Sequence, residues 1–135
     1  SPVEEAKAQT LLRRIHFDLT GLPPEPEKID EFLQKHSKNS QSAITDLIDE
    51  LLSSDDFGIR WGRHWLDVVR YADSTGGGRT ALLDQAWRYR DYVVNSFNKD
   101  KPFNQFIKEQ IAGDLIQGVT HEEQKESLIA TGFVL

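Results

Sequence analysis

Apolar residues recur at helical spacing along almost the whole chain, and this pattern restricts the fold more than any other feature. In segment 3–20, Ala8, Leu11, Leu12, Ile15 and Leu19 lie three or four positions apart, so they share one face of a helix. No segment shows the apolar–polar alternation that is typical of a half-buried strand. The pattern therefore predicts an all-α fold whose core is built from helix faces.

Glycine, proline and capping residues divide this pattern into about six to seven helices. Gly21 is placed to end the first helix, and Pro26 to open the second. A polar loop is predicted at 35–42, with Ser42 as the cap of the third helix. Later helices are predicted at 57–72, 84–97, 103–112 and 122–131. A glycine-rich loop joins helices four and five, so we expect a helical bundle forming a single domain over residues 1–135.

Composition excludes several classes of function. The chain has 135 residues, a net charge of −6 and a pI near 5.2, which argues against a general nucleic-acid binder. It has no Cys, so this segment forms no disulfide, thiolate metal site or covalent haem attachment. No apolar run approaches the ~20 residues that a membrane-spanning helix needs. We therefore expect neither nucleic-acid binding nor a membrane span in this segment.

Both ends of the sequence suggest a piece of a longer protein. The chain begins with Ser1 and Pro2 rather than Met, and the apolar run 129–135 stops without a helix cap. We therefore expect it to be cut from a larger polypeptide.

Aromatic and arginine residues are concentrated in one stretch, 57–92. It holds every Trp and Tyr of the chain and six of its eight Arg, but no Lys and no Glu. Arginine differs from lysine in offering a planar fork that stacks on aromatic rings and grips anions bidentately. The composition of this stretch indicates a buried polar network or a ligand site.

The fourth helix of this stretch is predicted to have two faces. A core stripe would contain Phe57, Trp61, Trp65, Val68 and Ala72. The opposite face carries Arg60, Arg63, Asp67, Arg70 and Tyr71, with His64 at the border between the faces. One interpretation is an exposed ladder of ion pairs beside a histidine at the edge of the core. The other is an anion site at which Asp67 fixes the geometry of the cations.

The fifth helix places Arg90 on the face of Ala86, Tyr89 and Val93, so we expect an inward guanidinium. A buried charge needs a partner, and the sixth helix supplies Asp114. The hypothesis is that Asp114 pairs with Arg90 or Arg88 and pins the two helices together. The alternative is that Asp114 only caps the turn after Gly113.

The loop 73–84 fits no established ligand motif. Its glycines at 76–78 lack the lysine and the preceding strand of a phosphate loop. A calcium-loop frame starting at Asp73 would end on Asp84 instead of the bidentate Glu. The histidines are scattered, and we predict no metal site.

Several long motifs, in order, resemble a known family. They are LLRRIHFDLTGLPP (11–24), FGIRWGRHWLDVVRYADS (57–74), AWRYRDYV (86–93), NKDKPFNQF (98–106), EQIAGDL (109–115) and ATGF (130–133). In this order they resemble the planctomycete-type, cytochrome-associated domain of unknown function 1549, over nearly the whole chain. Since that family domain is longer, the resemblance implies that this chain is its N-terminal portion.

The resemblance implies a setting for the domain but no reaction. Family members are similar to parts of large exported proteins, periplasmic or at the cell surface, of bacteria that degrade polysaccharides. They often adjoin a c-type cytochrome module, which would hold the haem, so this segment is expected to bind no cofactor itself. Its partners would be other domains of the same polypeptide.

Three functions are therefore open, and they use the motif residues differently. The first is a binding or scaffolding module for an anionic or carbohydrate ligand. The second is part of an enzyme whose site a neighbouring domain completes, with His64 as acid/base. The third is a purely structural polar core. The candidate ligand-binding residues are Arg60, His64, Asp67, Arg70, Tyr71, Asp73 and Arg88, and the candidate structural residues are Trp61, Trp65, Trp87, Arg90, Asp91 and Asp114.

Overall fold

The computed structural model describes residues 5–75, 81–116 and 120–134, and its helices confirm the all-α prediction. The helices of these residues are α1 (Ala8–Leu19), α2 (Pro26–Lys38), α3 (Ser40–Leu52), α4 (Asp55–Val68), α5 (Ala86–Asn98), α6 (Phe103–Ala112) and α7 (His121–Ala130). Short 3₁₀ helices, Gly113–Leu115 and Thr131–Val134, follow α6 and α7. Within these ranges β structure is limited to one isolated bridge between Ser74 and Leu82. The predicted glycine run of the loop lies outside the described residues.

The chain divides into two compact units, and the boundary falls inside α4. The N-terminal unit is Ser1–Arg60 and the C-terminal unit is Trp61–Leu135. Each has its own cluster of buried apolar side chains.

Helices α1, α2 and α3 form the core of the N-terminal unit. Its buried residues are Leu12, Phe32, Ala43, Leu47 and Leu51, with Ile15, Leu19 and Ile29 packed against them. Gly21 ends α1 as predicted: it has a φ of 74°, and its N–H donates to the Phe17 carbonyl. A glycine at this position avoids the steric cost of the left-handed conformation.

The prediction of a polar loop at 35–42 is wrong. Helix α2 continues to Lys38, and Asn39 alone separates it from α3. Asn39 is extended, and its side chain accepts a hydrogen bond from the Ser42 N–H at 3.1 Å, so Asn39 and not Ser42 is the cap. The segment is polar because its helical turns are exposed, and a capping Asn can end one helix and start the next in a single residue.

Aromatic rings from three helices fill the core of the C-terminal unit. Its buried residues are Leu66, Tyr89, Tyr92, Val93, Phe106 and Ala130. Tyr71 stacks on Tyr89, Tyr89 on Tyr92, and Tyr92 on Phe106, with centroid separations of 6.3, 6.3 and 5.8 Å. Offset stacking at these distances adds to the stabilisation from burial alone.

The core stripe predicted for α4 is displaced by about one residue. Val68 is 74% exposed and Trp61 is also exposed, whereas Gly62 and Leu66 are buried. A Cβ atom on Gly62 would lie 3.3 Å from a Val94 methyl group, which shows how closely α4 approaches α5 at that point. The stripe therefore passes through a glycine, which carries no apolar signal in the sequence.

Candidate functional site

The exposed face of α4 carries two of the candidate ligand-binding residues, His64 and Asp67. Arg63 and Asp67 form a long ion pair, 3.7 Å between Nε and Oδ1, with both side chains mostly in solvent. His64 is exposed, and its ring meets the Trp61 indole edge-on at 5.4 Å. This face therefore carries one exposed ion pair, and His64 lies in solvent instead of at the edge of the core. The hypothesis that His64 acts as an acid/base stays a prediction.

Arg60 belongs to the N-terminal unit, where it packs against the turn after α1. A Cβ atom on Gly21 would lie 3.0 Å from Arg60 Cδ, so the arginine stem covers that glycine. This contact gives Arg60 a packing role at the end of α1.

The end of α4 places Arg70, Tyr71 and Asp73. The Tyr71 N–H donates to the Leu66 carbonyl and the Arg70 N–H to the Asp67 carbonyl, which is the Schellman arrangement. Tyr71 Oη donates to Asp73 Oδ1 at 2.5 Å. Burial, together with this hydrogen bond, raises the pKa of Tyr71 to about 12. Tyr71 therefore remains a hydrogen-bond donor throughout the physiological range.

A largely apolar cavity of about 750 Å³ lies beside this turn. Arg70 and Tyr71 line it together with Leu82, Leu83 and Tyr89. Two backbone hydrogen bonds hold the ends of the adjoining loop: Thr75 N–H to Ala81 O and Leu83 N–H to Asp73 O. The cavity brings together two of the predicted ligand residues.

Helix α5 does not have the inward arginine that the sequence predicts. The Arg90 side chain is 45% exposed, and its guanidinium donates twice to the neighbouring Asp91 carboxylate, at 2.8 and 2.9 Å. Among the described residues no ion pair joins Asp114 to Arg88 or Arg90, so the predicted helix-pinning pair is wrong. A local carboxylate one position away satisfies Arg90 without any tertiary partner.

The buried polar network instead joins α4, α5 and α6 through neutral groups. Trp65 Nε1 donates to Tyr89 Oη at 3.0 Å, and Tyr89 Oη donates to Gln110 Oε1 at 2.6 Å. Gln110 is 2% exposed. Of the predicted structural residues, Trp65 therefore links three helices, whereas Trp61, Trp87 and Asp114 are exposed.

A cleft of about 310 Å³ lies between α5 and α7 and is rich in cations. Its lining includes Trp87, Arg88, Asp91, Tyr92, Asn95, Lys99, Lys101, Lys125, Glu126 and Ile129. The Trp87 indole is 46% exposed, and the Arg88 guanidinium carbon lies 5.5 Å from the centre of its ring. Four basic side chains and two carboxylates face this cleft.

The two carboxylates of the cleft are already engaged. Asp91 is held by Arg90, and Glu126 by Lys99 at 3.0 Å, with Lys101 3.8 Å away. Within the described residues, Arg88 and Lys125 form no ion pair. The cleft therefore has a surplus of positive charge in a chain whose net charge is −6.

Lys101 is held in place by a buried carboxylate that sequence reasoning missed. Glu109 is 4% exposed and accepts from Lys101 Nζ at 2.5 Å, Tyr92 Oη at 2.7 Å and Gln105 Nε2 at 2.8 Å. Burial alone would raise the pKa of Glu109, but these hydrogen bonds together hold it below its usual value. The pair was missed because Lys101 and Glu109 lie outside the arginine-rich stretch.

The described residues contain neither a candidate metal cluster nor a candidate membrane-spanning helix. No three His, Cys, Asp or Glu side chains among them could hold a metal ion together. None of the helices that they form is both long and apolar enough to cross a membrane.

These features define a helical domain with a cation-lined cleft beside an exposed indole. A family model described as PSCyt2, a protein of unknown function (DUF1549), matches residues 1–135. The chain therefore belongs to this family, which confirms the resemblance seen in the motifs. No curated protein and no solved structure matches it.

Proposed function

We propose that this chain is a binding module for acidic polysaccharide and that its ligand occupies the cleft between α5 and α7. The module would belong to an exported, cytochrome-linked bacterial protein that takes part in polysaccharide utilisation. Its partners would be the other domains of that polypeptide, with haem confined to a c-type cytochrome module.

The exposed Trp87 indole beside Arg88, in a cleft with a surplus of cations, is the observation that carries this proposal. An indole exposed at the wall of a cleft offers a flat apolar face, which suits the apolar face of a pyranose ring. The Arg88 guanidinium can contact a carboxylate or sulfate bidentately. An apolar platform with a few polar and charged groups around it is the usual make-up of a small-ligand site.

Isothermal titration calorimetry with sulfated and uronate oligosaccharides tests the proposal. We expect Trp87→Ala and Arg88→Ala each to weaken binding by about tenfold or more, because truncating a central aromatic or arginine contact removes a large share of the binding energy.

Trp61→Ala and Arg63→Ala are the matched controls, since both residues are exposed and neither lines the cleft. They should leave the affinity unchanged. Binding that is equally weakened by the control variants, or no binding by the wild type, would count against the proposal.

A further inference from the structure

Two lysines and one glutamate meet at one end of the cleft. Glu126 Oε1 accepts from Lys99 Nζ at 3.0 Å, and Oε2 lies 3.8 Å from Lys101 Nζ. Lys125 lines the same cleft. One carboxylate from α7 thus faces two ammonium groups from the segment that follows α5.

We infer that Lys99, Lys101 and Lys125 form an oxyanion subsite, which the Glu126 carboxylate occupies until an anionic group of the ligand displaces it. The inference rests on the proposed binding function and names the part of the ligand that the lysines hold. It makes Glu126 an internal competitor that sets which ligands are bound.

Lys101 is the fixed cation of this subsite. Its side chain is 11% exposed, it donates to the buried Glu109, and its ammonium lies 4.7 Å from the centre of the Tyr92 ring. The backbone supports this position: Asp100 has a φ of 47°, and the Lys101 N–H closes the end of α5 on the Ser96 carbonyl. A group that is already ordered in the free protein loses little conformational entropy when a ligand binds.

Glu126, by contrast, can be displaced at low cost. Its side chain is 41% exposed and that of its partner Lys99 is 60% exposed. Ion pairs between exposed side chains contribute little to stability, because water solvates both groups and salt screens them. Glu109 is buried under three hydrogen bonds, so it remains in place while Glu126 moves.

The chemistry of the displaced group identifies the ligand group. A carboxylate is removed from two ammonium groups, and only another oxyanion restores the charge balance and the hydrogen bonds. A carboxylate of a uronate or a sulfate ester satisfies this requirement, whereas the hydroxyl of a neutral sugar does not. Trp87 lies at the other end of α5, so the oxyanion and the ring that stacks on the indole would belong to different parts of one oligosaccharide.

An NMR titration with sodium sulfate at constant ionic strength tests the subsite without any saccharide. We expect backbone amides of residues 99, 125 and 126 to shift in the wild type, and Glu126→Gln to bind sulfate roughly two- to fivefold more tightly, the fold-change that corresponds to losing an exposed ion pair.

Asp91→Asn is the matched control, because Asp91 lines the same cleft but its carboxylate is bound by Arg90 instead of a lysine. This control distinguishes displacement of the Glu126 carboxylate from the effect of removing any negative charge from the cleft. If Glu126→Gln gives no gain, or Asp91→Asn gives an equal gain, the inference is wrong. Lys99→Ala should also reduce the gain from Glu126→Gln, since the competitor then loses its closest partner.

Sulfated, uronate and neutral disaccharides then distinguish the sources of the oxyanion. Either acidic disaccharide should compete with sulfate at these amides, and the neutral one should not. Sulfate binding that depends on Glu126, together with no saccharide binding, overturns the proposed function and leaves the subsite standing. Saccharide binding that depends on Trp87 but is unaffected by Glu126→Gln overturns the subsite alone.

Discussion

Arg70 and Asp100 occupy backbone conformations that glycine usually provides. Their φ angles are 56° and 47°, and each follows the last turn of a helix in a Schellman arrangement. Arg70 is followed by Tyr71, which lines the apolar cavity, and Asp100 is followed by Lys101, which lines the cleft. A side chain in the left-handed region is strained by contact between Cβ and the backbone, and Asp tolerates it better than Arg.

Arg70→Gly should therefore raise the free energy of unfolding by about 0.5–1 kcal/mol. Asp100→Gly should give a smaller gain, because Asp is strained less at this position. Gly21→Ala should act in the opposite direction, since Gly21 has a φ of 74° and its added Cβ would lie 3.0 Å from Arg60 Cδ. Urea unfolding of the three variants measures these differences, and a loss of stability in Arg70→Gly would contradict the prediction.

The bounds of the helices could be predicted from the sequence more accurately than the residues that each helix buries. Helix α6 has the predicted bounds, because Pro102 precedes a regular apolar pattern. The core stripe of α4 differs from the predicted one because α4 approaches α5 closely at Gly62, which has no side chain to mark the contact in the sequence. Periodicity detects apolar side chains and cannot detect a glycine that lets two backbones approach.

Gly113 follows α6 and packs so closely against the backbone of α7 that a side chain has no room there. A Cβ atom there would lie 1.9 Å from the Ser127 carbonyl oxygen, and backbone cannot move aside as a flexible side chain can. Gly113→Ala should lower the free energy of unfolding by about 1–3 kcal/mol. Gly132→Ala is the control, because its Cβ would meet Tyr89 at an ordinary 3.4 Å. Equal urea midpoints for the two variants would contradict this account.

At the scale of the whole molecule, the cation-lined cleft draws on residues from inside and outside the arginine-rich stretch. Within that stretch, Arg63 and Asp67 of α4 face solvent. The cleft instead combines Trp87 and Arg88 with lysines from the turn after α5 and from α7. That combination could not be predicted, because it depends on the left-handed turn at Asp100 and on the packing of α7 against α5.

Acid should weaken the C-terminal unit through Glu109. Its pKa is lowered in the folded protein, so the stabilisation is present above the unfolded value of 4.5 and is lost as pH falls through the lower folded value. At pH 7, Glu109→Gln should be less stable than the wild type by about 1–3 kcal/mol, because hydrogen bonds to a charged group are lost. The difference should shrink below about pH 4.5.

Chemical unfolding between pH 3 and pH 7 measures this difference. Glu122→Gln, at the exposed start of α7, provides the control and should differ from the wild type only by the helix-dipole contribution of an exposed carboxylate, about 0.3–1 kcal/mol. A stability gap between Glu109→Gln and the wild type that stays constant across this range would contradict the assignment.

The position of Trp87 also gives the protein an optical property. Its indole is exposed beside the Arg88 guanidinium in the cation-lined cleft, whereas Trp65 is partly buried and hydrogen-bonded. Opposite charges raise the local concentration of small ions near a surface, and salt screens the effect. Iodide should therefore quench Trp87 more strongly than caesium does, and in a Trp61→Phe variant, which removes the other exposed indole, this quenching reports whether the cleft is occupied.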